Sequence, residues 1–167
     1  MILKKHAQYI LCIHENLSYE VRHPDGTPHF VSPATKRCPK LYLVGNRQGL
    51  QYVGITNQPM AVRLNMGLKA TGTHGYHGYA WKMIRTPLTL DVWCVNDSAS
   101  GDAIQQFEAV EAEVVYLCRF HTGRWPKSQT EIHFHPPERR HSTMAKKVFE
   151  DFAATNPGIK LLVKGIK

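Results

Sequence analysis

KLYLVGNRQGLQYVGIT, residues 40–56, decides how this chain is read. Two short apolar runs, LYLV and LQYVGI, flank a turn built around Gly45-Asn46 and Gly49, a pattern that predicts an antiparallel hairpin. Tyr42 and Tyr52 stand at corresponding places in the two strands, and the second run reaches Gly54. A tyrosine in a strand is ordinary, so any role for these two depends on what the neighbouring segments bring.

Downstream, TNQPMAVRLNMGLKA reads as a helix. Asn57 is the capping candidate and Pro59 suits the first helical position. Met60, Arg63, Leu64, Gly67 and Leu68 fill the i, i+3, i+4, i+7, i+8 template of one face, so an arginine sits on the inward seam. A loop rich in Gly, His and Tyr follows (TGTHGYHGYAW), then LTLDVWCV, whose alternation predicts a third strand. SASGD supplies turn and cap residues for a long helix from about Asp102 to Phe120, with the Asp102 carboxylate placed to receive the free N–H groups.

That helix carries a charge where none is expected. Ile104, Phe107, Val114, Val115 and Cys118 form an apolar stripe, and Glu111 falls inside it, with Phe107, Val114 and Val115 as its i−4, i+3 and i+4 neighbours. Glu108 lies at the stripe's edge and Glu113 outside it. A buried carboxylate needs an arginine, a hydrogen-bond network or a metal ion. Two readings stay open: a structural Arg63–Glu111 pair, or a Mg²⁺ ligand, since Mg²⁺ takes only one or two carboxylates and leaves its other positions to water and phosphate.

The totals fit one folded domain of 167 residues, 43% hydrophobic and 20% charged. Lys and Arg outnumber Asp and Glu by 21 to 13, a net charge of +8 before any of the 10 histidines is protonated. Such a surplus favours a phosphate-bearing polymer as partner, with a merely basic surface as the plain alternative. The beginning, MILKKHAQYILCIHENL, lacks a cleavage site, and no stretch is long enough to span a membrane, which predicts a cytoplasmic protein. Cys12, Cys38, Cys94 and Cys118 are scattered, without disulfide-framework or zinc spacing.

Residues 1–38 read as an N-terminal extension with a β hairpin at SYEVRHPDGTPHFV, turning at Asp25-Gly26, after a strand candidate QYILCIH. Residues 39–135 form the core. Residues 136–167 supply a helix from about Ser142 to Ala154, with Met144, Val148, Phe149 and Phe152 inward, and a last strand, IKLLV. Arg139, Arg140, Lys146 and Lys147 make a candidate patch for a DNA backbone, against a solvated face as the default. His133 and His135 lack a second pair at zinc-finger spacing. Of the three tryptophans, Trp93 reads as core.

A strand with Tyr, a strand ending Tyr-Val-Gly, a helix with an inward Arg, a third strand and a helix with an inward Glu follow one another in an order that resembles the GIY-YIG nuclease superfamily. Lys40-Leu41-Tyr42 stands in place of the first triplet, with lysine for glycine, and Tyr52-Val53-Gly54 in place of the second. Arg63 resembles the family's helix arginine and Glu111 its metal-binding glutamate. The resemblance covers about Lys40 to His133. Many members carry a histidine one turn after the arginine, where this chain has Gly67, so His74 or His77 is left to supply that function, or it is absent. WPKSQTEIHF resembles the segment that closes the site in some restriction-type members, with Gln129 or Glu131 as the closing residue.

The resemblance implies an α/β fold, a small central three-stranded antiparallel sheet flanked by helices. It implies a Mg²⁺- or Mn²⁺-dependent endonuclease acting on double-stranded DNA, with Tyr42 activating water, Tyr52 orienting it or the phosphate, Arg63 meeting phosphoryl charge and Glu111 holding the metal. Arg63, Lys40 and the metal would favour the Tyr42 phenolate. Lys40 joins the DNA-binding candidates. The alternatives are a silent nucleic-acid-binding module and a protein-interaction domain, and a homodimer is left open.

Overall fold

The computed structural model describes residues 3–95, 103–132 and 134–159. Its strands are β1 (Leu3–Ile13), β2 (Tyr19–Arg22), β3 (Lys40–Asn46), β4 (Gly49–Thr56) and β5 (Leu88–Val95). The helices are α1 (Met60–Lys69), α2 (Ala103–Thr122) and α3 (Arg139–Thr155), with 3₁₀ turns at Thr73–Gly75 and Ala80–Met83. The capping role expected of Asp102, the imidazole of His133, the side chain of His74 and the expected strand beyond Ile159 lie outside the described residues.

The hairpin at the head of the sequence reading forms as β3 and β4, in register from Lys40↔Thr56 to Asn46↔Gly49 with a bulge after Val44. β5 pairs with β3, from Lys40↔Cys94 to Gly45↔Thr89. The fold is α/β, but the expected three-stranded sheet is corrected to five antiparallel strands in the order β2-β1-β5-β3-β4. β1 pairs with β5 from Leu3↔Val95 to Leu11↔Leu88, so the N-terminal segment continues the sheet. Its hairpin is also relocated: β2 pairs with β1, across a turn in which Leu17 N–H donates to the His14 carbonyl. Asp25-Gly26 does turn the chain, but into a loop rather than a strand.

Alternation along the strands sends side chains to both faces. On one face Tyr9, Leu11, Tyr42, Val44, Leu90 and Val92 pack with Met60, Leu64 and Leu68 of α1 and with Trp81. On the other, Leu41, Leu43, Val53 and Trp93 pack with Phe107, Val110 and Val114 of α2 and with Val148, Phe149 and Phe152 of α3. Each such fully buried aliphatic or aromatic side chain contributes about 1.5–3 kcal/mol. α3 begins three residues before the expected Ser142, capped by Glu138, whose backbone N–H donates to His141 Nδ1 at 3.0 Å.

β4 is the edge strand beside α2, and the chain after α2 covers it. Lys127 and Ser128 N–H donate to the carbonyls of Leu50 and Gln51, and the Gln129 side-chain carbonyl accepts from Val53 N–H at 3.0 Å. Among the described residues no helix is long and apolar enough to cross a membrane.

Candidate active site

Arg63 leaves the inward seam of α1 half-buried and meets three phenols. Its Nε donates to the Tyr42 hydroxyl at 3.2 Å and its Nη1 to the Tyr76 hydroxyl at 3.1 Å. The guanidinium also lies 5.3 Å from the Tyr79 ring centroid, within cation–π range. Two of five N–H donors are thereby used, and three have no partner among the described residues.

Tyr42 is fully buried, and its hydroxyl lies 3.0 Å from that of Tyr79. Gly54 stands opposite it in the register, and a Cβ there would come within 2.6 Å of the Tyr42 hydroxyl. The glycine of the Tyr-Val-Gly triplet is therefore a space requirement of Tyr42. Tyr52, partly buried, places its ring 6.0 Å from Tyr42 and 5.5 Å from Tyr79.

Glu111 is 6% exposed on α2, and no hydrogen bond or ion pair within the described residues holds it. The direct Arg63–Glu111 pair, one of the two readings left open by the sequence, does not form among the described residues, although Arg63 acts on Glu111 electrostatically. Burial, with Glu108 and Glu131 adding to it and Arg63 opposing, pushes the Glu111 carboxyl up to about 8. Glu111 in turn adds to the rise at Tyr52, which burial dominates. Burial also pushes Tyr42 well above the ordinary phenol range, against the pull of Arg63. Phenolate at Tyr42 is thus disfavoured in the free protein, contrary to the sequence expectation.

Tyr42, Tyr52 and Arg63 come together on one face of the sheet, whereas Glu111, on the helix that packs on the other face and against β4, reaches Arg63 and Tyr52 only electrostatically. Other expected site residues are placed elsewhere. Lys40 is fully buried, and its ammonium donates to the carbonyls of Lys36 (2.6 Å), Cys38 (2.8 Å) and Gln58 (3.1 Å). It is a structural cation that cannot meet DNA. Gln129 is spent on the β4 edge, its amide donating to the Glu131 carbonyl at 2.9 Å. Glu131 acts on Glu111 electrostatically. Glu108 pairs with His135 at 2.6 Å. Arg139, Arg140, Lys146 and Lys147 are exposed on α3, two of them engaged locally: Arg140 with Glu138 at 3.0 Å and Lys146 with Glu150 at 3.9 Å.

The loop expected to deliver a histidine delivers tyrosines. His77 is exposed and lies against Gly72, where a Cβ would come within 2.7 Å of its ring. Gly67 is glycine because Tyr79 fills the space in front of it: a Cβ would fall 2.1 Å from the Tyr79 ring. Tyr79 N–H also donates to the Gly67 carbonyl at 3.0 Å. Sequence reasoning missed Tyr76 and Tyr79, and the available signal was Gly67 on the inward face of α1, which marks a close approach.

The donor set suits a hard divalent cation modestly. Glu111 offers one carboxylate, and among the described residues no group of three or more His, Cys, Asp and Glu is arranged to hold a metal ion. Comparison of the chain with protein-family models, with curated proteins and with solved structures gives no match in any of the three.

Proposed function

We propose that this chain is a Mg²⁺-dependent DNA endonuclease of the GIY-YIG type. The supporting observation is the buried Glu111 carboxyl, held by no hydrogen bond or ion pair within the described residues, and the electrostatic pull on it of an arginine with three donors to spare. An unpaired carboxyl raised to about 8 is costly to the fold, and such cost is common where a site is kept for a ligand.

Arg63 presents its open donors to the non-bridging oxygens of a phosphodiester, where negative charge grows as the bond breaks. Glu111, deprotonated, would hold Mg²⁺ or Mn²⁺, which would supply positive charge to the phosphate and the leaving oxygen. Tyr42, after giving up its own proton to solvent, takes the proton of the attacking water as the water's oxygen bonds to phosphorus. The bond to the leaving oxygen breaks, and that oxygen is protonated from solvent. Tyr52, at the edge of the cluster, orients the water. The surplus of basic residues supports duplex DNA as the substrate.

Full burial of Tyr42 favours a second reading, a nucleic-acid-binding module of the same fold without hydrolysis. Plasmid nicking separates the two. The first expects cleavage that requires Mg²⁺ or Mn²⁺ and falls about 10³-fold in Glu111→Gln. Salt-sensitive DNA retention with no nicking in either metal would leave the second.

A further inference from the structure

Tyr79 is not among the residues given a role above, yet it touches two of them. Its hydroxyl donates to the Arg63 carbonyl at 3.3 Å and shares a 3.0 Å bond with the Tyr42 hydroxyl. A phenol has one proton to give, so with that proton on the carbonyl the shared bond is donated by Tyr42. Arg63 Nε–H donates to the same Tyr42 oxygen at 3.2 Å. The Tyr42 oxygen therefore gives one hydrogen bond and receives one.

Loss of the Tyr42 proton changes what is best for Tyr79. Its 3.3 Å bond to the carbonyl is long for an O–H donor, which usually sits about 2.7–2.8 Å from its acceptor. Turning the hydroxyl exchanges that weak neutral bond for a charge-assisted one to phenolate, about twice as strong. The carbonyl, inside α1, keeps its place in the helical ladder. No ring needs to move: Tyr79 is stacked on Trp81 at 4.4 Å and wedged over Gly67.

We propose that Tyr79 is a positioning residue of this site, supplying a second hydrogen bond to the Tyr42 oxygen when Tyr42 ionises, so that the two hydroxyls work as a pair. The inference rests on Tyr42 as the base. The titratable groups facing the pair are Arg63 of α1, Tyr52 of β4 and Tyr76 of the loop, while Glu111 of α2 acts on Tyr52. Burial raises both hydroxyls and Arg63 opposes it; while Tyr42 is the donor of the shared bond, Tyr79 raises it further and is itself lowered by it, and only the turn of the Tyr79 hydroxyl reverses that sign, so the first proton to leave belongs to the pair.

The test places a fluorinated tyrosine, a more acidic phenol, at position 42 and follows tyrosinate absorbance against pH. Tyr79→Phe, which removes the hydroxyl and keeps the ring, is expected to raise the midpoint by about one pH unit. An unchanged or lowered midpoint overturns the pair. If that variant does not fold, the fluorinated tyrosine goes to position 79 with Tyr42→Phe, and the same two outcomes decide. The titration does not depend on cleavage: a wild type that never cuts DNA sinks the nuclease reading and leaves the hydroxyl pair to be judged by its own midpoint. Where DNA is cut, Tyr79→Phe moves the rising limb of the kcat profile to higher pH at unchanged KM, which a purely structural role would not do.

Discussion

Lys40 and Arg63 are two cations that the sequence offers to the same site, and the fold treats them in opposite ways. Lys40 has three N–H donors and three carbonyls within 2.6–3.1 Å, at zero exposure. Arg63 is half-buried, with two donors on phenols and three left over. The first ties the 36–38 link to Gln58 ahead of α1, and the second keeps capacity for a ligand. Charge alone does not separate the two; unspent donors do.

The largest effect that could break this contrast is on cleavage. Arg63→Lys keeps the charge but loses the planar fork, and cleavage should fall about 10²–10³-fold while melting changes little. Wild-type rates in that variant would deny Arg63 its role.

A smaller but distinctive effect is expected from Glu111. Its folded value of about 8 lies above the unfolded one of 4.5, so the stability linked to its proton is fully present below about pH 4.5 and is lost as pH rises through 8. Without metal, Glu111→Gln should melt like the wild type near pH 4.5 and above it at pH 8, by on the order of a few kcal/mol. Added Mg²⁺ should stabilise the wild type alone at pH 8. A variant less stable than wild type at pH 8 would return Glu111 to a structural pairing.

Lys40→Met should cost about 2–3 kcal/mol by stranding three carbonyls, measured by urea unfolding, while the folded fraction cuts at the wild-type rate. A catalytic defect at full stability would erase the contrast with Arg63. Smallest of all, Tyr76→Phe removes one partner of Nη1 at a site that is 41% exposed, and cleavage should change by about threefold or less.

How much of this was legible in sequence depends on how far apart the partners lie. The β3–β4 hairpin, the inward seam of α1 and the buried place of Glu111 follow from local turn chemistry and period, and each forms. The five-stranded sheet was not legible, because β1 finds its partner about 80 residues away in β5 and nothing in either strand names the other. Tyr79 was hidden for the same reason: Gly67 announces a close approach but not which ring makes it. Lys40 looked available because a lysine beside a tyrosine reads as charge, and the carbonyls that consume it come from irregular chain that periodicity cannot place.

The cover on β4 bears on how copies of this chain could meet. Lys127, Ser128 and the Gln129 side chain occupy carbonyls and an N–H on the outer rim of that strand, and the opposite rim belongs to β2, only 4 residues long. A sheet sealed in this way has little to offer a second sheet, which protects it from strand-to-strand aggregation. Two copies gathered on one duplex would therefore have to touch through helices and loops, and loosening the Gln129 latch would show itself first as sticky protein rather than as slow chemistry.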